Sequence, residues 1–264
     1  MNCKAKYLLV AALLSLSGFN SRSQNLQSPF DNCRIHGSIT IYDLKNNKWI
    51  YSDKADAHRA SLPASTFKII NSLIALETST IENELQTFKW DSIPRQVDAW
   101  NHDSDMEQAF KNSTVWFYVK LAEKIDRQKY SDFLKKSNYG NNNLREKGTD
   151  FWNFGKFRIS PVNQIRFLVK LYKQELPFSK RNIEIVKRIM INETTPDYTL
   201  RAKTGWTNYG GTSSGWWIGY VERKDNTYFF ATRIFKPASI SHPNFSACRK
   251  EITFNVLKQL KIIP

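Results

Sequence analysis

The chain is poor in the residues that hold metals. It has three cysteines and four histidines in 264 residues. There is no Cys-x-x-Cys, and His36, His58, His102 and His242 show no His-x-x-x-His or comparable spacing, so no zinc site is expected. Long hydrophobic runs are also missing. The one apolar stretch, Tyr7–Leu16, is too short to span a bilayer. It follows Lys4 and Lys6 and precedes the small residues around Ser21-Arg22-Ser23, the pattern of an export signal cut near Ser23. No repeat and no low-complexity tract appears. Basic residues outnumber acidic ones, for a formal net charge of +15, which falls to about +12 once Lys4, Lys6 and Arg22 leave with the signal. The charges are scattered and alternate with acids, without a Lys/Arg run. They read as a basic surface that attracts small anions rather than as a nucleic-acid footprint. Cys33 and Cys248 remain in the mature chain, one near each end. A disulfide and two separate buried thiols both stay open, since spacing does not reveal their distance.

What is present is a mixed α and β pattern. Gly37–Asp43 alternates as a strand, Lys45-Asn46-Asn47-Lys48 turns, and Trp49–Ser52 returns. Helical periodicity then dominates from about residue 64 to 191, with candidates at Thr66–Glu77, Val115–Ile125, Arg127–Lys136, Pro161–Gln174 and Ser179–Met190. Three aromatic and β-branched strands follow, Tyr198–Lys203, Gly215–Glu222 and Thr227–Phe235, and a helix near Ser246–Gln259 closes the chain. The predicted fold is α+β, an αβα sandwich. A mainly antiparallel sheet (about 24–63 plus 192–264) is flanked by helices and carries an inserted all-helical subdomain (about 64–191).

The chemistry concentrates at Ser65-Thr66-Phe67-Lys68. Residues three apart on a helix share a face, so the Ser65 hydroxyl and the Lys68 amine can meet. A serine becomes a nucleophile beside a base, and an unprotonated lysine is one. Roughly two Ser-x-x-Lys tetrads would arise by chance in such a chain, and alone this one is as well explained by a capping serine and a solvated lysine. Against that, Ile69–Leu76 is apolar nearly all round, as in a buried helix. A lysine there must be paired or neutral. Three further motifs follow: Ser113-Thr114-Val115 opening a helix, Tyr139-Gly140-Asn141 as a turn, and Lys203-Thr204-Gly205 ending a strand. Gly205 would admit close approach of a second backbone or a ligand.

In this order the four motifs resemble the penicillin-recognising serine enzymes, and within them the class D β-lactamases, or oxacillinases. Phe88-Lys89-Trp90-Asp91, Phe151-Trp152, Gly215–Glu222 and Arg249–Thr253 extend the likeness over about residues 37–264. The resemblance implies hydrolysis of β-lactam antibiotics by an exported, periplasmic enzyme. Its partners would be β-lactam small molecules and no nucleic acid. There would be no membrane insertion after signal cleavage, and the protein would be a monomer or homodimer. It implies Ser65 as nucleophile, with the backbone N–H groups of Ser65 and Trp206 as oxyanion hole. Lys68 would be an N6-carboxylated general base formed from CO2 or bicarbonate, with no other cofactor and no metal. Ser113 would be a proton relay and Trp152 a donor to the carbamate. Lys203, Thr204, Gly205 and Arg249 would face the substrate, and Phe67 and Val115 would form dry walls. Tyr139, Asn141, Trp216 and Trp217 would be structural. One departure is Asn153, where the family usually has an apolar residue. It is expected to weaken Lys68 carboxylation or reposition the deacylating water while leaving acylation intact. Two other functions remain in view, a non-hydrolysing β-lactam-binding sensor domain and a D-alanyl-D-alanine peptidase. The absence of a usable Ser-x-Asn motif counts against the peptidase.

Overall fold

The computed structural model describes residues 25–264; the expected signal peptide and its cleavage site lie outside them. The elements are α1 Ser28–Asn32, β1 His36–Asp43, β2 Lys48–Tyr51, α2 Lys54–His58, α3 Lys68–Glu77, α4 Met106–Asn112, α5 Val115–Lys124, α6 Arg127–Ser137, α7 Pro161–Tyr172, α8 Lys180–Ile189, β3 Ile191–Thr194, β4 Tyr198–Tyr209, β5 Thr212–Arg223, β6 Thr227–Pro237 and α9 Phe245–Gln259. The six strands form one antiparallel sheet in the order β2-β1-β6-β5-β4-β3.

Both faces of this sheet are covered, which makes the fold an αβα sandwich. Side chains alternate across a strand. On β5, Trp216, Ile218 and Tyr220 therefore enter the core shared with α3, α5 and α7, whereas Trp217 and Val221 enter the core under α1 and α9. On β6, Phe229 and Ala231 face the first core, and Phe230 and Ile234 the second. Double-sided burial explains why β5 and β6 read as near-continuous apolar runs. Trp216 also donates its indole N–H to Leu62 O at 2.9 Å, tying the sheet to the segment that leads into Ser65.

Local rules place the helix starts. Ser160 caps α7, accepting from Asn163 N at 3.2 Å, with Pro161 at the first helical position. Asp126, Asp105 and Ser179 cap α6, α4 and α8 in the same way. A buried ion pair anchors α2 and the turn after it to β6. Asp56 accepts from Arg233 Nη2 at 2.8 Å and from Arg59 Nη2 at 2.6 Å, and Ser38 Oγ donates to its other oxygen. Arg233 is fully buried, and its partners hold the Asp56 carboxyl below its ordinary range against the cost of burial.

Two features of the strands differ from expectation. The last quarter holds four strands, because Ile191–Thr194 pairs with β4 as an edge strand whose residues are all exposed. And β4 runs on to Tyr209, so Lys203-Thr204-Gly205 lies within the strand, not at its end.

Candidate active site

The chain reaches Ser65 through a proline turn and a left-handed residue. Ala64 has φ 51°, and its N–H donates to Trp152 O at 3.0 Å. A left-handed non-glycine residue is strained and persists only where its surroundings hold it. Here it turns Ser65 into a short 3-10 segment, Ala64–Phe67, that continues directly into α3. Gly205 of β4 runs against this segment. A Cβ at residue 205 would lie 2.9 Å from Pro63 O and 3.2 Å from Thr66 N, so the close approach of strand to turn requires glycine.

The tetrad closes as its spacing predicts. Lys68 Nζ lies 3.0 Å from Ser65 Oγ. Lys68 is wholly buried, and burial pulls its amine down from the ordinary 10.5 to about 7, against the opposing charge of Asp150. The ammonium position is over the Tyr118 ring, 4.9 Å from its centroid, and Tyr118 OH is 2.9 Å from Ser72 Oγ one turn along α3. Phe67 stacks on Trp152 with centroids 5.2 Å apart, and both are fully buried. Trp152 Nε1 is buried without a hydrogen-bond partner. Such an orphaned donor costs free energy unless an acceptor fills the space before it. That donor, an amine near neutrality and aromatic walls fit a carbamate on Lys68.

The second serine sits opposite. Ser113 does not open a helix as a cap; it ends α4 in the left-handed region, φ 59°, and Thr114 precedes α5. This bend directs Ser113 Oγ to accept from Lys203 Nζ at 3.0 Å. Lys203 is buried, and its ammonium is disfavoured by burial first and then by Lys68, Arg249 and Lys250. Arg249 of α9 donates to Gly205 O at 2.7 Å, while its Nε is buried without a partner. Burial brings its guanidinium down to about 10.

Seven of the expected residues line one cleft of about 710 Å³: Ser65, Ser113, Val115, Thr204, Gly205, Trp206 and Arg249. Lys68, Lys203, Phe67 and Trp152 do not line it but lie beneath, packed or hydrogen-bonded behind its wall. Trp206 is 46% exposed and packs against Phe245. Tyr139, Gly140 and Asn141 brace the wall from behind. Tyr139 OH donates to Gln164, which donates to Thr66 Oγ1 at 2.8 Å, and Asn141 Nδ2 donates to Lys156 O.

Asn153 lines the cleft and is nearly buried; its carbonyl accepts from Thr207 Oγ1 at 2.8 Å. Beside it stands Asp150, which the sequence patterns do not single out. It too lines the cleft, hydrogen-bonds with Asn153, and is raised above the usual carboxyl range chiefly by burial. Nothing in its spacing marks it; only the fold brings its charge to Lys68. The remaining lining residues include Val97, Trp100 and Phe154, an apolar rim from loops that carry no periodicity.

Residues 37–258 match the family described as penicillin binding protein transpeptidase domain. The chain is 38% identical over 259 residues to Beta-lactamase OXA-48 of Klebsiella pneumoniae, covering 97% of this chain and 96% of that protein. Among solved structures it resembles a class D beta-lactamase from Sebaldella termitidis, with TM-score 0.88, 45% identity and coverage of 91% and 97%. It also resembles FUS-1, a class D beta-lactamase from Fusobacterium nucleatum, with TM-score 0.85, 34% identity and coverage of 90% and 98%.

Proposed function

The chain belongs to the class D β-lactamases, and on that premise we propose that it hydrolyses β-lactam antibiotics through an acyl-enzyme on Ser65. The observation that supports this best is the 3.0 Å contact between Ser65 Oγ and the desolvated amine of Lys68. A base this close accepts the hydroxyl proton as the oxygen attacks the lactam carbonyl. The developing oxyanion would sit between the N–H groups of Ser65 and Trp206, where Gly205 lets strand and turn meet.

Ser113 then passes a proton to the nitrogen released by ring opening, held for this by its hydrogen bond from Lys203. Lys203 keeps a hydrogen-bond donor at that end of the cleft. Thr204 and Arg249, which both line the cleft, bind the substrate carboxylate. Phe67 and Val115 exclude water from the base. Carboxylated by CO2, residue 68 would supply an anionic oxygen base for both acylation and deacylation, with the orphaned indole N–H of Trp152 as its donor. Asn153 adds polarity where the family is usually apolar, and Asp150 hydrogen-bonds with it beside the cleft, so deacylation is the step this chain would perform less well.

We place the protein outside the cytoplasm, with residues 1–23 as a leader. No helix among the described residues is long and apolar enough to cross a membrane. A hydrolysis panel of penicillins, cephalosporins and carbapenems, run with and without bicarbonate, tests the proposal. Turnover of at least one class, increased by bicarbonate, is expected. Stoichiometric acylation without turnover would overturn it in favour of a sensor, and release of D-alanine from a peptide in favour of a peptidase.

A further inference from the structure

The two mature cysteines, far apart in sequence, meet on the face of the sheet opposite the helical block. Cys33 ends α1 and Cys248 lies in the first turns of α9. Both are free and buried in the core under those helices. Their sulfurs and a carboxylate oxygen of Glu251 all lie within 4.8 Å of one another, with Cys33 Sγ 3.9 Å from Glu251 Oε2. His242 Nε2 donates to Cys33 O at 2.9 Å, holding the end of α1 against the segment before α9.

We infer that Cys33 and Cys248 form a disulfide that ties the first helix to the last. A metal is the weaker use of this cluster. It offers three donors among the described residues, one of them the exposed Glu251, whereas a closed structural zinc site takes four. The two sulfurs already lie within 4.8 Å of each other, and a bond requires them to close to about 2 Å. Burial pushes the Cys33 thiol up to about 12, helped by Cys248 and Glu251. In the folded chain the Cys33 thiol is therefore slow to attack and both sulfurs are buried, so the bond would be made as the chain folds.

The chemistry balances with a small-molecule or protein disulfide as oxidant. One cysteine thiolate attacks the oxidant's S–S bond, forming a mixed disulfide and releasing one thiol. The second thiolate then attacks the mixed disulfide and releases the other. The chain loses two protons and two electrons, and the oxidant gains them as two thiols. In the cell this rests on the export proposed above, since such bonds persist in oxidising compartments. The chemistry itself does not depend on the β-lactamase reading. The tie would close a loop of about 215 residues, where the chain-entropy contribution of a crosslink is large.

The test uses the full chain, reduced and unfolded in urea, then refolded in a buffer of reduced and oxidised glutathione so that burial does not block exchange. Non-reducing peptide mapping should find the Cys33 peptide joined to the Cys248 peptide, about 2 Da lighter than the two reduced peptides together. Reduction should lower Tm by roughly 5–10 °C. Cys33→Ser should show neither the crosslink nor the reductant-sensitive Tm, with β-lactam turnover unchanged. Alkylation of both thiols after refolding, a glutathione adduct retained on one, or a link from either to Cys3 would overturn the inference. So would stoichiometric zinc uptake that protects both thiols from oxidation. If turnover is absent while the crosslink forms, the functional proposal alone has failed.

Discussion

Desolvation of Lys68 makes a quantitative prediction about CO2. The amine falls from 10.5 to about 7 because it is wholly buried beside aromatic rings, with Ser65 Oγ as its hydrogen-bond partner. That drop corresponds to roughly 5 kcal/mol favouring the neutral form. At pH 7.5 an ordinary lysine has about one free amine in a thousand, whereas Lys68 has about three in four, a gain of several hundred-fold. Only the free amine adds CO2. With CO2 held at constant pressure, a carbamate on residue 68 should therefore form as pH rises through about 7. Carbon-13 NMR with labelled bicarbonate reads this directly as one carbamate resonance, absent in Lys68→Ala. Asp150 opposes the drop, so Asp150→Asn should move the midpoint to lower pH. A folded protein without that resonance at pH 8, or one whose midpoint lies near 10, would refute the reasoning.

Three further outcomes follow from the same geometry. Lys68→Met should abolish turnover yet stabilise the fold. The wild-type lysine is depressed on folding, so its cost is full below pH 7 and vanishes as pH rises toward 10.5; the gain should be roughly 3–5 kcal/mol at pH 6 and shrink over that window in urea titrations. A pH-independent gain would contradict this. Asp56→Asn leaves Arg233 buried and unpaired and should cost about 3–5 kcal/mol by denaturant unfolding; a loss below about 1 kcal/mol would show that the pair is not what holds that segment. Asn153→Leu removes a polar group and the hydrogen bond to Asp150, and turnover without added bicarbonate should rise several-fold toward the bicarbonate-saturated rate. An unchanged ratio of the two rates would remove Asn153 from any role in carboxylation.

Much of the site was legible because its residues lie close in sequence or end in short motifs. Ser65 and Lys68 are one turn apart, and helical spacing alone brings them together. The apolar run after Lys68 announces burial, which is what perturbs the amine. The β5 and β6 strands were legible from aromatic and β-branched content, and α7 from Ser160-Pro161. The failures have physical causes. Ile191–Thr194 shows no alternation of burial because it is an exposed edge, recognisable only by its pairing with β4. Trp206–Tyr209 looks polar enough for a loop, although Gly210-Gly211, with φ of 59° and 75°, carries the signal of a two-residue hairpin. Ser113 resembles an N-cap by type, but the bend between α4 and α5 assigns it a left-handed conformation. Asp150 reaches Lys68 across many intervening residues, and the Cys33–Cys248 encounter joins the two ends of the chain. No local pattern encodes either.

Acylation at Ser65 is the claim on which the mechanism depends, and mass spectrometry tests it most directly. Brief mixing with a penicillin, acid quench and peptide mapping should place one intact-drug mass increment on the peptide containing Ser65, and none on Ser65→Ala. An adduct that persists on Ser65→Ala, or hydrolysis by that variant at the wild-type rate, would contradict the account.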